Sequence, residues 1–280
     1  MKLKFSQIVL ILVLSLIVIL LLLPVWFALV TSFMASVESL KGGLHFWPES
    51  FSIKGYEVLF TTGDYIRPLI NSTIVTVFGT FFHVMLCALA AYTLIQKNIP
   101  WLKFMMALLL ITMAVPQQVL IIPTYLLYKH LAMINTYTAL IVYGLVSGFS
   151  ILLLHSYFKS IPYDLTESAR IDGASELQIF WKIYLPMGKS GLITVMVINA
   201  VMRWNDFTSA LLFITDPNLY TVQLALKTLV GSTEQASSNI LITPNVQMAA
   251  VIIGLLPLVI LYFIAQKYIV KGTSLGALKE

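Results

Sequence analysis

The chain has 280 residues, of which 59% are hydrophobic and only 10% charged, with a formal net charge of +5. A soluble domain carries roughly 25% charged residues, so a water-facing coat over a protein of this size is excluded and lipid is the alternative solvent. The positive balance does not indicate nucleic-acid binding, because the basic residues sit at the ends of apolar runs, where they set orientation in a membrane.

Six windows approach or exceed the roughly 20 apolar residues needed to cross a bilayer. They lie at about 8–33, 69–95, 104–128, 136–158, 190–214 and 247–269. The first follows Lys2 and Lys4, as a signal peptide would. Its core from Ile8 to Val30 is longer than a typical signal core of about 7–15 residues, so an anchor is expected. Cys87, the single cysteine, falls in the second window. It makes neither an intrachain disulfide nor a cysteine-based metal site and is expected to be a small buried side chain. Gly144 and Gly148 in the fourth window have the spacing of a close helix approach. The fifth window is interrupted by Arg203, Asn205 and Asp206. With the N-terminus in the cytoplasm, eleven Lys and Arg fall inside and five outside, leaving Arg203 in a window. The positive-inside rule then places both termini in the cytoplasm. The expected fold class is an all-α integral membrane protein with six transmembrane helices.

The connection between the fourth and fifth windows, residues 159–189, is the long internal loop, and it has its own punctuation. Ile161-Pro162 ends the preceding helix. Asp164 is placed to cap a new helix, with Glu167 three residues on as in a capping box. Thr166, Ser168 and Ala169 form a small-residue face, and Gly173 suits a helix C-cap. A second helix starts at Ser175, with Glu176 in its dipole-favoured first turn, and Pro186 interrupts it. From the residues alone, two readings stay open: docking into another protein's groove, or lying on lipid headgroups.

Other polar features give weaker signals. Asn71, Gln117, Gln118, Asn199, Arg203, Asn205 and Asp206 are polar at membrane depth, where desolvation is costly and function is the default reading. Arg203 and Asp206, three residues apart, are spaced to neutralise each other. Gly188-Lys189-Ser190 resembles a phosphate-loop fragment, but the glycine required five residues earlier is Ile183, so no nucleotide site is expected. His45, His83, His130 and His155 are widely spaced, and no metal site is expected.

At this point the loop resembles a known family. The EAA signature of type I permease subunits from bacterial ABC importers reads Glu-Ala-Ala, three residues, Gly, nine residues, Ile-x-Leu-Pro. This chain has Glu167-Ser168-Ala169, Gly173 and Ile183-Tyr184-Leu185-Pro186 at that spacing, with Ser168 as the one departure. Trp204-Asn205-Asp206-Phe207 and the tail Gln266-Lys267-Tyr268-Ile269-Val270-Lys271-Gly272 resemble the carbohydrate, MalG-like branch. The resemblance spans roughly residues 69–280; residues 1–68 match in general form only.

The resemblance implies a non-catalytic permease subunit of an ATP-driven, binding-protein-dependent carbohydrate importer, its cargo an oligosaccharide. It implies a second homologous permease, two ATP-binding subunits that hold ATP and Mg, and an extracytoplasmic solute-binding protein, in a bacterial plasma membrane. The loop would be a cytoplasmic coupling helix between transmembrane helices 4 and 5, seated in a cleft of an ATPase. Its implied coupling residues are Glu167, Ser168, Ala169, Arg170, Asp172, Gly173, Ile183, Leu185 and Pro186, with Arg170 and Asp172 paired locally or with the ATPase. Candidate substrate-path residues are Trp204, Asn205, Asp206, Asn199 and Gln117. The external loop 215–246, with its polar Gly231–Asn239 stretch, resembles the segment that reaches into the binding protein's sugar cleft. The expected division is 1–68 as first helix and external loop, 69–270 as transport core and 271–280 as cytoplasmic tail. The alternatives are a permease for another solute class, an ion-driven secondary transporter, for which only Asp206 is an acid at membrane depth, and a membrane-embedded enzyme, for which no convergent nucleophile, base or ligand set is present.

Overall fold

The computed structural model of the chain describes residues 5–61, 63–97, 99–231 and 242–277, of which 5, 117, 118 and 267–277 are described by backbone alone. Among these residues the regular structure is helical, and Met34 and Phe51 form an isolated antiparallel bridge. Helix α1 (Phe5–Ser32) has 28 residues. At about 1.5 Å per residue it outruns a hydrocarbon core of about 30 Å, and its leucines and isoleucines from Ile8 to Leu22 are exposed all round. Short helices α2 (Ser36–Leu40) and α3 (Lys54–Thr61) follow, then the 29-residue α4 (Ile66–Leu94).

The next windows are interrupted. The third divides into α5 (Leu102–Ala114) and α6 (Gln117–His130), bent by 103°. Pro116 has no N–H and disfavours helical backbone at Val115, which is extended. The fourth divides into α7 (Tyr137–Val142) and α8 (Gly148–Lys159). The internal loop holds α9 (Asp164–Ile171) and α10 (Glu176–Ile179), a π-helical turn at Phe180–Tyr184, and α11 (Leu185–Met187). Then come α12 (Lys189–Trp204), α13 (Thr208–Phe213), α14 (Val222–Gly231) and α15 (Pro244–Ala277). Three described helices are long and apolar enough to cross a membrane alone, and counting two bent pairs as one span each gives five. The first, second and sixth windows are thus continuous helices, whereas the third, fourth and fifth are broken within the window.

The expected Gly144–Gly148 approach is not what the structure uses. Gly144 lies in the break between α7 and α8 at φ +69°, with open space where a Cβ would point, while Gly148 alone abuts Met113. Gly188 and Gly191 make a closer approach: a Cβ at either would fall 2.3 Å and 2.5 Å from the rings of Phe158 and Tyr157. The Gly188-Lys189-Ser190 run therefore reads as close contact between α8 and the start of α12.

One compact unit comprises Met1–Pro68 with Leu224–Pro257. Within it Asn245, fully buried, donates to the Met34 carbonyl (3.1 Å) and accepts from Ser39 and Thr243. Glu38 is also buried, and its carboxylate accepts from the Glu49 and Ser50 amides and the Ser50 hydroxyl. These bonds pin the loop after α1.

The second unit comprises Leu69–Gln223 with Leu258–Glu280. Its core joins Val84, Cys87, Ala88 and Ala91 of α4 to Ile151, Leu154 and Phe158 of α8, and to Phe180, Tyr184 and Val195. Small residues on α4 let the helices come close, and Cys87 is buried among them as expected. Asn71 ties α4 to the 218–220 turn and to α7: it donates to the Asn218 and Tyr220 carbonyls (3.0 and 2.9 Å) and accepts from the Tyr137 hydroxyl (2.8 Å).

Candidate functional site

The 164–186 segment folds as helix, glycine turn, helix. The expected cap at Asp164 is not formed: Asp164 is the first helical residue of α9, Tyr163 precedes it, and neither side chain caps the helix. Asp164 and Glu167 still place negative charge against the α9 N-terminus. The capping box sits at the second helix instead, where Ser175 accepts from the Gln178 amide and Gln178 from the Ser175 amide. The competition is local: Gly173 ends α9 and leaves Ser175 extended, the backbone an N-cap needs. At φ +82°, Gly173 closes a Schellman turn, with Ala174 N–H on the Ala169 carbonyl (2.9 Å) and Gly173 N–H on the Arg170 carbonyl (3.0 Å).

The segment has an inner and an outer face. On the inner face Thr166 is fully buried and shares a hydrogen bond with the Tyr184 hydroxyl (2.8 Å). Tyr184 and Phe180 contact the ring of Tyr92 on α4, and Tyr184 meets Phe158 edge-on. Both rings lie in the π-helical turn Phe180–Tyr184, four residues apart and so on one face. Arg170 holds the flank: Nε donates to Glu176 (2.7 Å), Nη1 to the Tyr163 hydroxyl (2.9 Å) and Nη2 to Gln96 (2.5 Å). Its bonds to Glu176 and then Tyr163 drive its pKa above an already high value. The local partner of Arg170 is therefore Glu176 rather than Asp172, which caps the end of α9. Lys97 lies 3.8 Å over the Tyr163 ring and 4.0 Å from the Glu167 carboxylate.

The outer face is open and mixes apolar with charged side chains. Ile171 is 86% exposed and Leu177 63%, and Glu167, Ser168, Asp172, Gly173 and Pro186 are exposed beside them. Ala169, Gly173, Ala174, Lys182 and Ile183 line part of a groove of about 390 Å³ between the helices. Ile183 and Leu185 are half-buried. The nine implied coupling residues thus share one segment, five of them exposed and four partly buried.

The second candidate group lies at the end of α12. Arg203 and Asp206 do not pair with each other. Arg203 donates through Nε to Asn199 (2.9 Å) and through Nη1 to the Leu140 carbonyl (3.0 Å), and it lies against Gly79, where no side chain stands in its way. Nη2 is buried without a partner. Asp206 instead accepts from the amide and hydroxyl of Ser209, holding the start of α13. Three residues span one helical turn only while the helix continues, and this helix ends at Trp204. Asn199 and Trp204 are buried, and Asn205 is exposed. The Gln117 side chain, and residues 232–239 of the Gly231–Asn239 stretch, lie outside the described residues.

Sequence reasoning missed the inner face. Tyr92, Gln96, Tyr163 and Tyr184 carry most of its polar contacts, and nothing in their local sequence marks them, because their partners are up to 84 residues away. It named His83 but not its partners: the ring nitrogens lie 2.9 Å from the Gly144 carbonyl and 2.8 Å from the Ser150 hydroxyl, bracing the break before α8.

Residues 84–275 match the family described as binding-protein-dependent transport system inner membrane component. The chain is 30% identical over 264 residues to Protein LplC of Bacillus subtilis strain 168, covering 92% of this chain and 89% of that protein. It is also 30% identical over 265 residues to the polygalacturonan/rhamnogalacturonan transport system permease protein YtcP of the same organism, covering 92% of each. In fold it is similar to a chain from the crystal structure of a bacterial ABC transporter involved in the import of the acidic polysaccharide alginate. The TM-score there is 0.82 at 24% identity, covering 96% of this chain and 99% of the other.

Proposed function

The chain belongs to the family of binding-protein-dependent transport system inner membrane components, and from that membership we propose that it is a permease subunit of an ATP-driven carbohydrate importer with an oligosaccharide cargo. The names of its relatives support the cargo class, since YtcP is a polygalacturonan/rhamnogalacturonan permease. The subunit works with a second homologous permease, two ATP-binding subunits that carry ATP and Mg, and an extracytoplasmic solute-binding protein. It crosses a bacterial plasma membrane six times with both termini in the cytoplasm, the broken windows serving as interrupted crossings. Residues 69–270 form the transport core, 1–68 an anchor and external loop, and 271–280 a tail.

The observation that carries the proposal is the two-faced 164–186 segment: an inner face bonded to its own chain and an exposed face that mixes Ile171 and Leu177 with Glu167 and Asp172, with small residues at its crown. An exposed residue such as Ile171 gains about 25 cal/mol per Å2 of apolar surface when a partner covers it, and Ser168, Ala169 and Gly173 leave room for that partner's backbone. ATP-driven closure of the ATPase pair then displaces the segment and, through it, the membrane helices. At the end of α12, exposed Asn205 is placed to meet solute, and buried Trp204 and Asn199 hold that end in shape.

The test is Glu167→Lys in the reconstituted transporter. Glu167 is exposed and its one ion pair is long, so the fold should survive. Solute uptake and binding-protein-stimulated ATP hydrolysis should both fall, and unchanged coupling would sink the role given to this segment.

A further inference from the structure

The inner face of the 164–186 segment is joined to α4 by two kinds of contact. One is apolar, through Tyr92, Phe180 and Tyr184. The other is a closed polar ring. Arg170, in the last turn of α9, reaches Glu176 at the start of α10, Tyr163 before α9, and Gln96 just beyond α4. The second oxygen of Glu176 accepts from the Tyr92 hydroxyl on α4 (2.5 Å), and Gln96 Nε2 donates to the Tyr92 carbonyl (3.3 Å). One guanidinium thus fixes three acceptors in its plane, a geometry lysine cannot reproduce.

A cavity of about 420 Å³ lined by Tyr92, Thr93, Gln96, Arg170 and Glu176 opens beside the ring. The polar groups of the ring already bond one another, so the cavity calls for no ligand. Nor is the ring mainly a source of stability. The Arg170 and Glu176 side chains are 30% and 56% exposed, and ion pairs that solvent reaches contribute about 0–1 kcal/mol. What the ring adds to the aromatic contacts, one tilted and one edge-on, is directional: a planar fork fixes Gln96 and, through Glu176, the Tyr92 hydroxyl against the segment.

We propose that Arg170, Glu176, Tyr92 and Gln96 form a clamp that makes the 164–186 segment and the cytoplasmic end of α4 move as one body, so that displacement of the segment by the ATPase reaches α4. This rests on the segment being the ATPase contact. The four are positioning residues: they touch neither nucleotide nor solute. The exposed face of the segment receives the movement, and the clamp passes it on.

The experiment uses the complete transporter in proteoliposomes with Tyr92→Phe, Glu176→Ala and the double variant. Three quantities are read: ATPase subunits retained on the permease, ATP hydrolysed, and solute imported per ATP. All variants should retain the ATPase, because the outer face is untouched. Solute imported per ATP should fall about fivefold or more in each single variant, the lower end of measured inter-site coupling. The double variant should fall no further than the worse single one, since both break the same ring. If both single variants import normally per ATP, or if their losses multiply in the double, the clamp is overturned while the docking role stands. Should Glu176→Ala not reach the membrane, Tyr92→Phe decides alone, since it removes one oxygen from a packed ring. Failure of the docking role itself shows separately, as Glu167→Lys leaving both ATPase retention and uptake unchanged.

Discussion

Replacing Gly173 by Ala isolates backbone strain from every other effect. No heavy atom lies within 4 Å of where the new Cβ would stand, so there is no clash within the chain, yet the residue is held at φ +82°. An L-residue in left-handed backbone costs about 1–2 kcal/mol. The two hydrogen bonds that close the turn depend on that conformation. At about 1.4 kcal/mol per factor of ten, the closed turn should be disfavoured about tenfold. Hydrogen–deuterium exchange over residues 164–180 reads this directly, with the Gly173 and Ala174 amides exchanging about tenfold faster in the Ala variant. Gly173→Asn should lie between Gly and Ala, because Asn tolerates left-handed backbone. An Ala variant that exchanges as slowly as Gly, or an Asn variant as fast as Ala, would refute the strain argument. If ATPase retention falls while exchange stays unchanged, the glycine matters for the partner's approach rather than for the turn.

Two further outcomes follow from buried polar groups. Asn71→Leu removes three hydrogen bonds and strands the Tyr137 hydroxyl, so at about 1 kcal/mol per bond the purified subunit should lose about 2–3 kcal/mol in a denaturant titration, and a loss below about 0.5 kcal/mol would contradict the anchoring role. For Glu38, burial pushes the carboxyl pKa up, but hydrogen bonds from Glu49 and Ser50 outweigh it and hold the pKa below the ordinary carboxylate value. A lowered folded pKa means that its stabilisation is present above the unfolded value and lost as pH falls through the folded one. Glu38→Gln should therefore lower the melting temperature at neutral pH, and the gap from the parent should close as pH falls through the lowered carboxyl pKa; a gap that persists in acid would show that the side-chain shape, not its charge, matters.

Much of the molecule was legible without coordinates because lipid imposes coarse rules. A run such as Ile8–Val30 must be helical wherever water is absent, since every backbone group needs an internal partner. Helix, glycine turn and helix between 164 and 186 were legible for a similar reason: Gly173, Ser175 and Pro186 act on backbone within a few residues of themselves. The family signature rides on the same local spacing. Where the local reading failed, two nearby signals competed, as at Asp164 and Ser175 for the cap, or a helix ended sooner than its apolar window, as at Trp204, so that Arg203 and Asp206 parted.

The sequence by itself determined the solvent, the continuous helices of the first, second and sixth windows and the helix–turn–helix of the 164–186 segment, because hydropathy and short-range backbone chemistry act over a turn or two. Only the tertiary structure decided the inner face. The ring of Arg170, Glu176, Tyr92 and Gln96 joins residues 74 to 84 positions apart. Such pairing depends on where α4 comes to lie against the segment, and no local spacing records that.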